Sequence, residues 1–355
     1  MTSNNPSPHA PARRDGRVRL GFIGAGGIVQ RALAPAVQAA DGVVLQAVAA
    51  RSRERAAALE PVGHSYDDYD ALLADPEVDL VYVALDNAGH RPWTLAALAA
   101  GKHVLCEKPI GLDPAALEEM VAAADKHDRL LVEAFWYRWH PRTRRLEQLL
   151  TQGALGPVQQ VDAEFTFSGG AAGDPREHYR LNPERGGGGI YDVGCYPLSA
   201  AHLALGPDLE VVTASARRGP SGVDLEASAT LRRPNRTETT SQTDGTDGTD
   251  GTDGTAMARI RCGLDATDRQ AIAVTGEAAR AEFGAPAFGA IHSPAELLIT
   301  TPDGGIRQEQ FAPVDPYRLM IEAVAARIRG EESFLPGVDH SRQVAASTAA
   351  IFAAL

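Results

Sequence analysis

Cysteine is scarce in this chain: Cys106, Cys195 and Cys262 are the only three thiols in 355 residues. They are odd in number, widely spaced and without a CxxC pair or a histidine at metal-ligand spacing, which speaks against a disulfide framework or a zinc site. They read as reduced thiols in the core or near a site, and no metal is expected. Long apolar runs are also missing. Nothing approaches the roughly 18–20 residues that cross a bilayer as a helix. The segment Met1–Gly16 is polar and proline-rich and lacks the apolar stretch of a secretion signal. It holds the pair Arg13-Arg14, but the charged residues Asp15-Gly16-Arg17-Val18-Arg19 follow directly, so a disordered tail over residues 1–16 of a cytoplasmic protein is expected. Positive charge is in deficit: 34 Lys+Arg against 46 Asp+Glu leave a formal charge of −12. Phosphate polymers and anionic lipid would be repelled, which excludes nucleic acid and membranes as partners.

What is present suggests two domains, since one core rarely serves more than roughly 100–200 residues. Apolar runs at Val18–Ile23, Val43–Ala49, Leu80–Leu85, His103–Cys106 and Leu130–Ala134 alternate with helix-like stretches at Arg53–Leu59, Pro92–Ala100 and Pro114–His127. That alternation predicts a doubly wound parallel sheet over residues 17–138. Pro35 should kink or delay the first helix. Beyond Trp139 the texture changes to one helix, Thr143–Thr151, and longer alternating runs at Val158–Phe167, Leu209–Ala216, Val223–Leu231 and Ala271–Thr275. A second α/β domain over 139–355 with a large, mostly antiparallel sheet is expected, closed by helices Pro316–Arg329 and Ser341–Leu355. Four Thr-Asp-Gly units over 243–254 lack the apolar position of calcium-binding repeats and read as a solvated loop.

Gly24-Ala25-Gly26-Gly27-Ile28-Val29 follows the first strand, where a tight turn must deliver the chain into a helix. Gly24 permits the turn and Gly26 lets backbone approach a pyrophosphate. Gly27 and Ile28 lead into a helix N-terminus whose free N–H groups face the negative charge. Val29 takes the third glycine position of a dinucleotide fingerprint, which should loosen helix–strand packing. The second strand ends Ala49-Ala50-Arg51-Ser52-Arg53. An acidic residue there would bind a ribose 2′-hydroxyl, whereas Arg51 and Ser52 offer a cation and a hydroxyl to a 2′-phosphate, so NADP is the expected cofactor.

Two further clusters fall where strand ends of such a sheet converge. Leu85-Asp86-Asn87-Ala88-Gly89-His90 follows the fourth strand, and the fifth runs through Ala100-Gly101-Lys102-His103-Val104-Leu105-Cys106-Glu107-Lys108-Pro109, placing Glu107 and Lys108 at its end. Later, Gly186-Gly187-Gly188-Gly189-Ile190-Tyr191-Asp192-Val193-Gly194-Cys195-Tyr196-Pro197 puts four glycines, able to pass very close to a neighbour, before a helical stretch. If that stretch is helical, Asp192 and Tyr196 are four apart and share a face.

With these blocks the chain resembles the Gfo/Idh/MocA oxidoreductases from about Arg17 to its C-terminus. Tyr196, where many members carry histidine, and the run Val132–Pro141 are similar to the branch of glucose–fructose oxidoreductase, dimeric dihydrodiol dehydrogenase and NADP-dependent xylose dehydrogenases. The resemblance implies a Rossmann domain followed by an α/β domain whose open sheet builds homo-oligomers, dimers or tetramers. It implies that Lys108 and Tyr196 are catalytic and that Asp192 helps to hold substrate. Asn87 and His90 should lie near the nicotinamide, with Glu107 and Lys108 also in contact with cofactor. Asp86 stands where a proline is common, which leaves the shape of that loop open. Trp136, Arg138 and Tyr179 are candidates for the substrate pocket, with Tyr137 and His140 beside them, although aromatic stripes at such spacing more often belong to a core.

The chemistry is consistent with this. Oxidising an alcohol needs a group to take the hydroxyl proton, and reduction needs one to return it. A phenol near pKa 10 is a sluggish base at neutral pH, and a lysine ammonium within about 4–6 Å should lower that value. The expected activity is hydride transfer between NADP and a sugar-like polyol, most directly an aldose at C1. A trans-dihydrodiol or inositol dehydrogenase and a non-catalytic NADP-binding regulator remain as alternatives, the last disfavoured by the presence of both Lys108 and Tyr196.

Overall fold

A computed structural model describes residues 16–174, 176, 178–234 and 256–355. Residues 1–15 of the expected tail and the Thr-Asp-Gly segment lie outside the described residues. The first six strands are β1 (Val18–Ile23), β2 (Val43–Ala49), β3 (His64–Tyr66), β4 (Leu80–Val83), β5 (His103–Cys106) and β6 (Leu131–Glu133), all but β3 formed by the expected apolar runs. They pair in parallel in the order β3-β2-β1-β4-β5-β6. Every residue of β4 and β5 is buried, as parallel strands covered on both faces must be. Strand order reverses between β1 and β4, so the loops leaving their carboxyl ends diverge and open a crevice.

The crossover helices are α1 (Ala34–Ala39), α2 (Arg53–Ala57), α3 (Tyr69–Ala74), α4 (Asn87–Ala99) and α5 (Pro114–His127). Pro35 acts as expected. It has no N–H to continue the ladder, and a single π turn, Val29–Leu33, precedes α1, with the Ala34 N–H reaching back to Val29 O. Val29 is fully buried, so its departure from glycine is absorbed by the wide turn and does not loosen the packing. The helix expected from Pro92 starts at Asn87 instead. Asp86 caps it through a bond from Gly89 N of 3.1 Å, and that cap outweighs the N–H missing at Pro92 inside the helix. Strand β3 and helix α3 were not foreseen, being three and six residues long with no apolar run.

The second sheet contains β7 (Val158–Thr166), β8 (Glu210–Arg218), β9 (Asp224–Arg232), β10 (Met257–Gly263), β11 (Arg269–Gly276), β12 (Arg280–Phe283), β13 (Ala295–Thr300) and β14 (Ile306–Phe311). Their order is β14-β13-β12-β11-β7-β10-β9-β8, antiparallel except for the central pair β7 and β10. Alternation separates its faces. Val161 and Ala163 point into the core, while Asp162 and Glu164 point outward and pair with Arg259 and Arg261 at 2.7 and 2.6 Å. Helix α7 (Cys195–Leu205), apolar around most of its circumference, lies buried between β7 and the last helix α9 (Val338–Ala354). Helix α9 also touches α5 and β6, and α8 (Pro316–Ile328) packs on α1. The closing helices thus tie both sheets into one core.

Helix α6 (Pro141–Thr151) adds a buried cation that no sequence signal marks. Arg142 is 2% exposed and donates to the carbonyls of Gly284 (2.7 Å), Pro286 (2.9 Å) and Ala287 (2.6 Å), with its guanidinium over Phe283. Burial pushes its pKa down to about 10. This shapes the turn that carries Phe288 against Tyr196, 5.4 Å between ring centres. Arg142→Met should cost about 3 kcal/mol of stability, because it strands carbonyls that water cannot reach. Urea unfolding checks this, and a cost below about 1 kcal/mol would show that the turn finds other donors.

Candidate active site

The crevice is a cleft of about 750 Å³ between the two sheets. Its first wall is the glycine loop after β1. Gly24 has φ +107°, and a Cβ there would lie 2.3 Å from Ala84 O, so only glycine fits. A Cβ on Gly26 would meet nothing within 4 Å, which leaves its backbone open to a ligand. Ile28 is partly exposed at the cleft edge. Beyond β2, Arg51 lines the cleft, but Ser52 does not. Its hydroxyl is spent capping α2, accepting from Arg55 N at 3.3 Å. Arg55 takes the place expected of Ser52, lining the cleft and donating to Ala25 O at 3.1 Å. With Arg31 this makes three guanidiniums that have no carboxylate partner among the described residues. A loop that approaches a pyrophosphate, beside cations left for phosphate, fits a phosphorylated dinucleotide.

The floor comes from the ends of β4 and β5. Asp86 caps α4 and pairs with Arg185 at 2.7 Å, which gives the loop its shape. Asn87 donates to Gly186 O at 2.8 Å. His90 is fully buried beneath the cleft. Nδ1 lies 2.7 Å from Pro109 O and Nε2 3.3 Å from Leu85 O. Burial lowers its pKa, and the ring, wedged between Pro109 O and Leu85 O, braces the two loops without lining the cleft. Glu107 lines the cleft but is also tied down. Its carboxylate takes the Tyr82 hydroxyl at 2.8 Å and Lys108 N at 3.3 Å, and burial raises its pKa.

Lys108, Asp192 and Tyr196 meet at the centre. Lys108 Nζ donates to Asp192 O at 2.5 Å, stands 3.9 Å from Asp192 Oδ1 and lies 5.1 Å from the centre of the Tyr196 ring. Asp192 also accepts from Arg180 at 2.6 Å and from Tyr179 at 3.1 Å. Burial pushes its carboxyl upward, but Lys108 and Arg180 outweigh it and hold the group below the usual range. The expectation that Lys108 lowers the phenol's pKa is overturned. Burial drives Tyr196 well above 10, with Tyr317, Cys195 and Glu107 adding to it. The ammonium sits over the ring and is bonded to Asp192 O.

A π turn, Ile190–Gly194, precedes α7, and both Asp192 and Tyr196 still line the cleft. The glycines before it pass close to protein. A Cβ on Gly188 would lie 2.3 Å from Asp224 Oδ1, and Asp224 also binds Ile190 N at 2.7 Å. Of the aromatic stripe, Trp136 lines the cleft, while Tyr137 bonds Ser199 and His140 caps α6. Arg138, expected near substrate, is instead paired with Glu147 away from the cleft. Sequence reasoning missed Arg31, Arg55, Tyr69, Arg180, Arg185 and Tyr317, all of which line the cleft. The three cysteines are buried free thiols.

A glycine-rich phosphate loop, a cationic end and a buried Lys-Asp-Tyr group define a nucleotide-dependent oxidoreductase. Residues 18–135 match the model of the oxidoreductase family with an NAD-binding Rossmann fold, and residues 143–282 match the GFO/IDH/MocA C-terminal domain. The chain belongs to the Gfo/Idh/MocA family. It is 34% identical over 331 residues to D-xylose 1-dehydrogenase (NADP(+)) 2 of Haloferax volcanii, covering 92% of this chain and 93% of that one. A 3-ketoreductase from Actinomadura kijaniata, solved with NADP and TDP-benzene, superposes with TM-score 0.81 at 28% identity, over 95% of this chain and 98% of that one. An aldose–aldose oxidoreductase from Caulobacter crescentus, complexed with glycerol, gives 0.80 at 25% identity, over 95% and 97%.

Glu133, at the end of β6, accepts from Ile110 N at 2.9 Å, and burial pushes its carboxyl from 4.5 up to about 7. Between those values the folded protein keeps a proton that the unfolded chain has lost, so stability falls as pH rises through that window. Glu133→Gln keeps the acceptor and removes the titration. Its advantage over wild type in urea unfolding should grow by on the order of 3 kcal/mol between pH near 5 and pH near 8. An advantage that stays constant would place the proton elsewhere.

Proposed function

We propose that this protein oxidises the C1 hydroxyl of an uncharged aldose of the xylose or glucose type, with Lys108, Asp192 and Tyr196 as its catalytic group. It is an NADP-dependent oxidoreductase acting on CH–OH groups. The observation that carries the proposal is the division of charge along one cleft. Among the described residues Arg31, Arg51 and Arg55 have no carboxylate partner at the nucleotide end, whereas Arg180 and Arg185 at the other end are neutralised by Asp192 and Asp86. A substrate held there meets no spare cation beyond Lys108, which suits a neutral polyol better than a nucleotide-linked sugar.

The nicotinamide, when bound, supplies or takes up the hydride. The chain supplies the rest. Lys108 keeps one hydrogen on Asp192 O and has others to polarise the reacting oxygen. Burial holds Tyr196 as a phenol that can give its proton to the carbonyl oxygen during reduction; in oxidation the hydroxyl proton goes to its phenolate form, which becomes more available as pH rises. Asp192, ionised and bound by Tyr179, Arg180 and Lys108, retains lone-pair capacity for a neighbouring sugar hydroxyl. Trp136, Phe165 and Phe167 give the cleft apolar walls for the C–H face of a ring. A homo-oligomer in the cytoplasm, built through the outer face of the second sheet, belongs to the same proposal.

Formation of NADPH, followed at 340 nm on aldoses, inositols and a trans-dihydrodiol, tests the substrate. Turnover on aldoses is expected, and turnover on the dihydrodiol or inositols alone would redirect the assignment. Silence throughout with tight NADPH binding would favour a regulator. Tyr196→Phe and Lys108→Ala should lose at least about a thousandfold in kcat while binding NADPH within a few-fold; near-wild-type turnover in either would remove that residue from the chemistry.

Arg55→Ala should weaken NADPH binding roughly tenfold to a hundredfold and NADH binding far less, since a charge-assisted bond to phosphate is at stake. Equal losses for both would mean that Arg55 only braces the glycine loop.

A further inference from the structure

Among the residues around the Tyr196 hydroxyl, Trp136 has a chemistry that allows one role only. An indole N–H donates and cannot accept. Its Nε1 lies 2.8 Å from Tyr196 Oη, so the phenol oxygen is the acceptor there and its own hydrogen must point elsewhere. The Trp136 ring is fixed, 5% exposed and stacked on Tyr317 at 4.7 Å and 27°. The Tyr196 ring is fixed as well, edge-on against Phe135 at 6.1 Å and Tyr137 at 5.9 Å. Among the described residues no acceptor receives the phenol hydrogen, and Trp136, Lys108, Asp192 and Tyr196 line the same cleft. The neighbouring aromatic polar groups are spent elsewhere: Tyr137 on Ser199 and Trp139 on Phe334 O.

We propose that Trp136 is a positioning residue that sets the proton polarity of Tyr196, holding the phenol oxygen as an acceptor so that its hydrogen is aimed at the substrate oxygen. This rests on the assignment of Tyr196 as the group that exchanges the proton. In reduction the Tyr196 O–H bond breaks as the O–H bond of the alcohol forms, with the hydride that a bound nicotinamide would supply joining carbon; in oxidation the same bonds form and break in reverse. The indole N–H bond stays intact throughout and stabilises the phenolate that appears between turnovers. Its hydrogen bond also opposes the effect of burial on the phenol.

The test is the pH profile of kcat for aldose oxidation in Trp136→Phe, which keeps an aromatic ring and loses the donor. NADPH binding should stay within a few-fold of wild type. The rise of kcat with pH should move to higher pH, kcat near neutrality should fall roughly tenfold, and KM should change little. Trp136→His, which restores an N–H, should move the profile back toward wild type. A Trp136→Phe profile that superposes on wild type would overturn the proposal, as would one that falls by the same factor at every pH. If Trp136→Phe fails to bind NADPH, 3-benzothienylalanine at position 136 removes the N–H at constant ring shape and is judged by the same criteria. Tyr196→Phe run in parallel separates the two ideas: if it retains activity the assignment of Tyr196 fails, and if it is dead while Trp136→Phe is unshifted only the role of Trp136 fails.

Discussion

A lysine side chain with 13% of its surface exposed has to be given acceptors, and those of Lys108 come from the other half of the molecule. Lys108 ends the fifth strand of the parallel sheet, whereas Asp192 sits in the π turn that enters α7 above the second sheet. Burying this ammonium therefore requires the two sheets to meet at one place. Once they do, Asp192 collects Arg180 and Tyr179 as well, and a carboxylate that burial would protonate stays ionised. The same contact sets the floor of the cleft. Asn87 to Gly186 and Asp86 to Arg185 are further ties across the same gap.

The parts of the site that could be read in advance are those whose chemistry is written in consecutive residues at a strand end. Gly24 and Gly26 follow an apolar run, and the first needs a positive φ while the second has open space before it. Lys108 and Tyr196 lie in blocks whose glycines and prolines mark abrupt changes of direction. Both halves of the fold were legible for the same reason: buried parallel strands are continuous apolar runs, and the strands of the second sheet alternate. Elements such as β3 and α3 were invisible because they are held by neighbours, not by their own pattern.

What could not be read depends on partners far away in sequence. Arg55 belongs to the cleft because Ala25 O, 30 residues earlier, takes its guanidinium. Arg138 looked like a substrate ligand in an aromatic stretch, but Glu147 claims it. His90 lies near the nicotinamide loop in sequence and yet spends its ring on Pro109 O and Leu85 O. The run of glycines before Ile190 signalled close approach to a neighbour without naming it, and at Gly188 that neighbour is the Asp224 carboxylate. For Arg138 and His90 the residue type was right for chemistry, and a partner within the protein decided otherwise.

Arginine and lysine are used differently along the cleft, and the difference follows from their shapes. Of 34 basic residues only Lys102, Lys108 and Lys126 are lysines. Lys102 is buried on the carbonyls of Asp75 and Val78, and Lys126 lies in the last turn of α5, so one lysine faces the cleft. A planar guanidinium suits phosphate oxygens and carboxylates, which is what Arg31, Arg51 and Arg55 offer at one end and Arg180 and Arg185 satisfy at the other. The compact ammonium of Lys108 can keep one bond to Asp192 O and still turn another hydrogen toward an oxygen that changes charge during the reaction. An arginine there would present a fixed fork, sized for two acceptors, to a site that holds one backbone carbonyl and one reacting oxygen. The scarcity of lysine elsewhere in the chain makes its presence at this strand end a statement about geometry: the site needs a point charge with rotatable donors, and the rest of the cleft does not.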